Sequence, residues 1–109
     1  MKKIVKFRQW DCYIVIGHYA NGRIAIRLLD AQDNEPVAVI SVNLPDKAMN
    51  DNEVFIKNYS ENEGILECMI HYGIVSEPIR FVQSGFVIIP LCMFLVDPNT
   101  IINNIIHEP

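Results

Sequence analysis

The sequence predicts an α+β fold: an antiparallel sheet of five to six strands, opening as a β-meander, packed on one main helix, with a short C-terminal helix. Three observations predict it. Residues 12–20 alternate in a period of two and end on Asn21-Gly22, a pair suited to a tight hairpin turn. Ser60 to Gly73 carries the start and stop signals of a helix around an apolar stripe. Phe86 to Val96 is an apolar run of eleven residues, shorter than the roughly 20 a membrane span needs, so it reads as a buried strand.

The first strand holds Tyr13, Val15, Gly17 and Tyr19 on one side and Cys12, Ile14, Ile16 and His18 on the other. A two-residue Asn21-Gly22 loop sets Ala20 against Arg23, His18 against Ala25 and Ile16 against Arg27 in the return strand Arg23 to Ala31. In that register the apolar face is Tyr13, Val15, Gly17 and Tyr19 with Ile24, Ile26 and Leu28, and it covers the core. The face with His18, Arg23 and Arg27 is partly wet. Gln32-Asp33-Asn34-Glu35-Pro36 is a turn cluster, Val37 to Leu44 completes the meander, Pro45 to Asn52 is a loop, and Glu53 to Asn58 is a fourth strand.

Ser60 and Glu63 have capping-box spacing. Ile65, Leu66, Met69 and Ile70 form the helix's apolar stripe, Glu67 and His71 face away, and Gly73 supplies the left-handed stop. Ile74-Val75 and Ile79 to Gln83 are extended, Ser84-Gly85 turns, and Pro90 places the middle of the last strand at an edge or a bulge. Asp97-Pro98 followed by Ile101, Ile102, Ile105 and Ile106 has the spacing of an amphipathic helix. The organisation read from this is one α+β domain over residues 1–96 and an amphipathic tail over 97–109.

The formal charge of −4 argues against direct nucleic-acid binding, which needs clustered cations to displace counterions. The charge is uneven: residues 1–27 hold six of the nine Lys and Arg against one acid, Asp11. That basic portion reads as solvated faces that happen to differ in charge, or as a basic edge that meets an acidic partner. Three cysteines, Cys12, Cys68 and Cys92, form no CxxC pair and sit among apolar residues. With no apolar stretch after Met-Lys-Lys-Ile-Val-Lys, they point to buried thiols in a reducing, cytoplasmic setting, with no membrane association.

No nucleotide loop, nucleophile elbow or zinc-helix motif appears. Cys68 and His71, three apart on the helix, are the nearest approach to a nucleophile–base or metal-ligand pair, and also read as a boundary thiol beside a surface imidazole. Glu61, Glu63 and Glu67 follow Tyr59 near the helix start, where a dipole role explains the first two without acid–base chemistry. The lone tryptophan, Trp10, reads as core or rim packing. The hairpin tip offers a binding patch, His18, Tyr19, Asn21 and Arg23 with Arg27 behind, which also reads as charge guarding a strand edge. No catalytic residue, metal ligand or cofactor is assigned.

Trp10-Asp11-Cys12, Tyr19-Ala20-Asn21-Gly22-Arg23, Val42-Asn43-Leu44-Pro45 and Phe55-Ile56-Lys57-Asn58-Tyr59-Ser60-Glu61-Asn62-Glu63-Gly64 together carry a resemblance. The chain resembles a small bacterial family of uncharacterised proteins, a domain of unknown function often carried on plasmids and conjugative elements, over residues 5–95. The resemblance implies an accessory cytoplasmic protein and no particular mechanism.

The expectation is therefore a non-enzymatic module of a mobile element that binds another protein, with a homodimer through the Ile-rich tail as a further possibility. Two alternatives come from other classes: an acidic inhibitor of a host nucleic-acid defence, built on Asp46, Asp51, Glu53, Glu61, Glu63 and Glu67, and a small thiol or metal enzyme using Cys68 and His71.

Overall fold

The computed structural model describes residues 4–96 and the backbone of Ile105–His107. The elements are β1 (Val5–Phe7), β2 (Trp10–His18), β3 (Ile24–Asp30), β4 (Pro36–Val39), β5 (Glu53–Phe55), a 3₁₀ turn (Ser60–Asn62), α1 (Ile65–His71), β6 (Val75–Ser84), β7 (Val87–Phe94) and β8 (Ile105–His107). The architecture is α+β, mostly antiparallel strand with one short helix. It corrects the expected single sheet of five to six strands. One sheet runs β1-β2-β3-β4, with β8 also on β2, and a second runs β5-β7-β6. Residues 40–42 join the two. Ile40 N–H donates to Ile26 O, Val42 N–H donates to Phe55 O, and Ser41 bridges Ile56. The expected strand Val37 to Leu44 thus passes from the first sheet to the second across residues 40–42.

The β2–β3 hairpin is present, but its register is shifted by one from the expected pairing. His18 pairs with Ile24, Ile16 with Ile26 and Cys12 with Asp30. The loop has three residues, not two. Gly22 N–H donates to Tyr19 O, Tyr19 N–H donates to Arg23 O, and Gly22 takes the left-handed conformation at φ 86°. This is a type I turn closed by a left-handed glycine, the common three-residue solution. A slip of one residue in one strand exchanges its faces. Ile24, Ile26 and Leu28 face the core as expected. They meet His18, Ile16 and Ile14, not Tyr19, Gly17 and Val15.

The main core joins both sheets and α1: Val5, Phe7, Cys12, Ile14, Ile16, Ile26, Leu28, Ile40, Val54, Ile65, Met69 and Cys92 are all buried in it, with Trp10 at its margin. β1 went unforeseen because its turn to β2 lacks Gly or Asn; Arg8 itself takes φ 55°.

The helix stripe is as expected: Ile65, Leu66 and Met69 are buried and Glu67 and His71 exposed. Its stop is a Schellman motif, with Ile74 N–H on Met69 O, Gly73 N–H on Ile70 O, and Gly73 at φ 73°. Its start differs. Ser60 makes no cap, because residues 60–62 form a separate 3₁₀ turn, and Gly64 occupies the N-cap position at φ 92°. Asn58 supplies the missing acceptor, its Oδ1 taking the Leu66 N–H at 3.0 Å. Asn62, buried, donates to Val39 O and ties this segment to the end of β4.

Pro90 lies in β7, the central strand of the second sheet, and not at an edge or bulge. Its carbonyl accepts from Ile56 N–H at 3.0 Å, and with no N–H to return, the β5 ladder ends beside it. The irregularities fall opposite, around Pro78 in β6. Ile105–His107 are a strand parallel to β2, at Ile14–Ile16, where helical spacing was expected. The expected helix start at Asp97 lies outside the described residues.

Candidate functional site

The five hairpin residues divide between two surfaces. His18, Asn21 and Arg23 line a polar cleft of about 500 Å³ together with Gly22, Met49, Asn50 and Asp51. Tyr19 and Arg27 line a separate, mostly apolar pocket of about 130 Å³ on the outer face of β2 and β3, with Val15, Gly17 and Val39. The register separates His18 from Arg27. His18 continues the core-facing row past the end of the core, whereas Arg27 pairs with Val15 on the opposite face.

The cleft is built by anchoring a loop to the hairpin tip. Arg23 Nη1 donates to Leu44 O at 2.6 Å and Nη2 to Lys47 O at 2.8 Å. Asn21 Oδ1 accepts the Arg23 N–H at 3.1 Å, an Asx turn, while its Nδ2 donates to Asn43 Oδ1 at 3.1 Å. At the far wall the buried Glu53 carboxylate accepts from Asn50 N–H at 2.8 Å and Asn50 Nδ2 at 3.2 Å. Arg80 adds a bond to Ala48 O. Beneath the loop a second small core, Phe55, Ile89 and Leu91, packs against Val42, Leu44 and Met49. Tyr19 works elsewhere: its hydroxyl shares a 2.8 Å bond with Ser41 Oγ, and Ser41 Oγ also accepts the Ile26 N–H at 2.9 Å.

Arg23 is thus a clamp on main-chain carbonyls, with its donors turned to the loop. The exposed groups in the cleft are His18, Asn21, Asn50 and Asp51, mixing imidazole, amide and carboxylate. Asn50 was not singled out from the sequence, and Asp51 was named only among the acidic residues of the inhibitor alternative; both sit in a stretch legible as a polar loop. A surface of hydrogen-bonding groups with no single charge sign suits polar main chain or mixed side chains of a partner.

The other constellations resolve differently. Cys68 Sγ–H donates to Lys6 O at 3.4 Å, and His71 stacks edge-on against Tyr72 with ring centroids 4.9 Å apart. Burial pushes the Cys68 thiol up, away from the thiolate a nucleophile needs. Among the described residues no three His, Cys, Asp or Glu side chains gather to hold a metal ion, and no helix is long and apolar enough to cross a membrane. Of the acidic residues, Glu53 turns inward to Asn50. Glu61 pairs with Lys57 at 2.7 Å, and that hydrogen bond holds its carboxyl down at about 2.

Cys12 and Cys92 are buried and unbridged, and each is pushed up to about 11. Burial is the main cause for both, with the Asp30 charge next for Cys12 and that of Glu77 for Cys92. A thiol pKa raised on folding means the protonated form stabilises the native state. That contribution is fully present below the ordinary value of 9.0 and is lost as pH rises through about 11. Urea melts between pH 8 and 11 should therefore show stability falling across the upper part of that range, with a shallower fall in Cys92→Ala. A flat profile in the wild type would refute the assignment.

No family model, curated protein or solved structure matches the chain.

Proposed function

We propose that this chain is a non-enzymatic protein-binding module, an accessory protein of a bacterial mobile element, and that the cleft between the β2–β3 tip and residues 49–51 receives a polar segment of its partner. The observation that carries the reading is the construction of the cleft. Arg23 and Asn21 use their side-chain hydrogen bonds to hold the loop against the hairpin, and Glu53 fixes Asn50 within the loop, which leaves His18 and Asp51 exposed on a pre-set wall. Preorganisation of this kind lowers the entropy lost on docking. The raised thiols speak against the thiol-enzyme alternative. The inward Glu53 and paired Glu61 thin the acidic surface that a phosphate mimic would present.

The test uses His18→Ala with Asp51→Ala, both at exposed positions, so the fold is spared. Affinity capture from the native host, quantified by mass spectrometry, should yield a partner with the wild type and about tenfold less of it with the double variant, as the loss of one or two interface hydrogen bonds predicts. Arg23→Ala should lose the partner too, together with hydrogen-exchange protection over residues 44–47. Identical capture by all three proteins, or none by any, would remove the proposal.

A further inference from the structure

The β6–β7 hairpin extends an apolar face beyond the core. Residues 88, 90 and 92 of β7 share one face, together with their β6 partners Gln83 and Phe81 opposite Ile88 and Pro90. Cys92 and Pro90 are buried, Cys92 within the main core. From that pair outward the cover ends: Phe81, opposite Pro90, is 60 % exposed, Ile88 67 % and Phe86, in the turn, fully so. Ile79, at the register shift between Pro78 and Arg80, is exposed as well. With side chains of roughly 150–250 Å² for each aromatic, these four residues leave about 500 Å² of apolar surface in water. That lies at the upper end of what monomers show. Among the described residues β6 is also the outermost strand of its sheet.

We propose that this edge pairs with the same edge of a second copy, β6 against β6 about a twofold axis through Val82. This surface is separate from the cleft and independent of its partner. The hydrogen-bonding phase selects the centre. Pro90 directs its carbonyl toward β5, where it accepts from Ile56. The Phe81–Pro90 and Gln83–Ile88 pairs are then the non-hydrogen-bonded pairs of the β6–β7 ladder, so Phe81 and Gln83 aim their N–H and C=O groups at the free edge. A twofold axis at Val82 sets Phe81 opposite Gln83 of the second copy and the reverse, closing four main-chain bonds. Both partners are two residues apart, which antiparallel pairing requires if one face is to stay common. The antiparallel direction also brings the second copy's main body onto the same face, past the hairpin tip, near Ile88 and the exposed turn residue Phe86. Two such faces amount to about 1,000 Å² of apolar surface, and with the paired main chain this reaches the size of a specific dimer interface. Charged guards blunt many free edges. Here Phe81, Val82, Gln83 and Ser84 carry no charge, while Glu77 and Arg80 lie outside that stretch.

Sedimentation equilibrium of the full chain at 1–100 µM tests this, with two variants. Phe81→Glu places charge on the shared face. Gln83→Pro removes an edge donor that points away from β7, so the hairpin itself tolerates it. The wild type should approach twice its 12.5 kDa mass. Each variant should dissociate about tenfold more readily with an unchanged circular dichroism spectrum. A wild type that remains a monomer at 100 µM overturns the proposal, as does a dimer that survives both substitutions.

Discussion

Ile14→Ala should destabilise the fold by about 2–5 kcal/mol, the range for truncating a fully buried aliphatic side chain. Ile14 is 1 % exposed, in the middle of β2, and faces the core beside its partner Leu28. Alanine there removes the transfer energy of three carbons and leaves a space that the flanking Cys12 and Ile16, on the same rigid strand, cannot fill. A domain of this size has about 5–15 kcal/mol in total. The loss is therefore a large share, visible in urea melts as a lower midpoint at an unchanged slope. Tyr13→Ala, next door on the outer face, should cost less than half as much. The pair reads the hairpin register directly. The opposite ranking, with Tyr13 the more costly, would mean that β2 presents its other face to the core.

Phe55→Ala should cost about 3–5 kcal/mol and should also open the cleft. Phe55 anchors the second small core with Ile89 and Leu91, on which Val42, Leu44 and Met49 of the cleft loop rest. A cavity there leaves the loop held by Arg23 and Glu53 without packing beneath it. Hydrogen exchange should then accelerate over residues 42–50 by more than over β2 and β3, whose contacts lie in the main core. Uniform acceleration across the chain would show that the two cores unfold together and that the loop draws no separate support from Phe55.

The candidate site was legible in part for a local reason. His18, Asn21 and Arg23 are neighbours in sequence at a turn marked by Asn-Gly, so their proximity needed no tertiary information. Asn50 and Asp51 reach the same cleft from about thirty residues away, through a clamp of Arg23 on two backbone carbonyls. Carbonyls have no side-chain identity, so nothing in the residue pattern marks them as partners. The same clamp shows why Arg23, chosen as a recognition cation, acts as a brace.

What local chemistry dictates, the sequence determined by itself: the α+β class, the β2–β3 hairpin, the Ile65-Leu66-Met69 stripe and the left-handed Gly73 stop each follow from periodicity or from one residue's backbone freedom. Only the tertiary structure decided the rest. The face of β2 turned on whether the loop held two residues or three, a difference of one φ angle that exchanges every side chain. The division into two sheets turned on where β4 stops pairing with β3, and the place of Pro90 on which neighbouring strand faces the N–H it lacks. Each of those depends on hydrogen bonds between distant main-chain atoms, which are the same for every residue type and therefore leave no trace in the pattern.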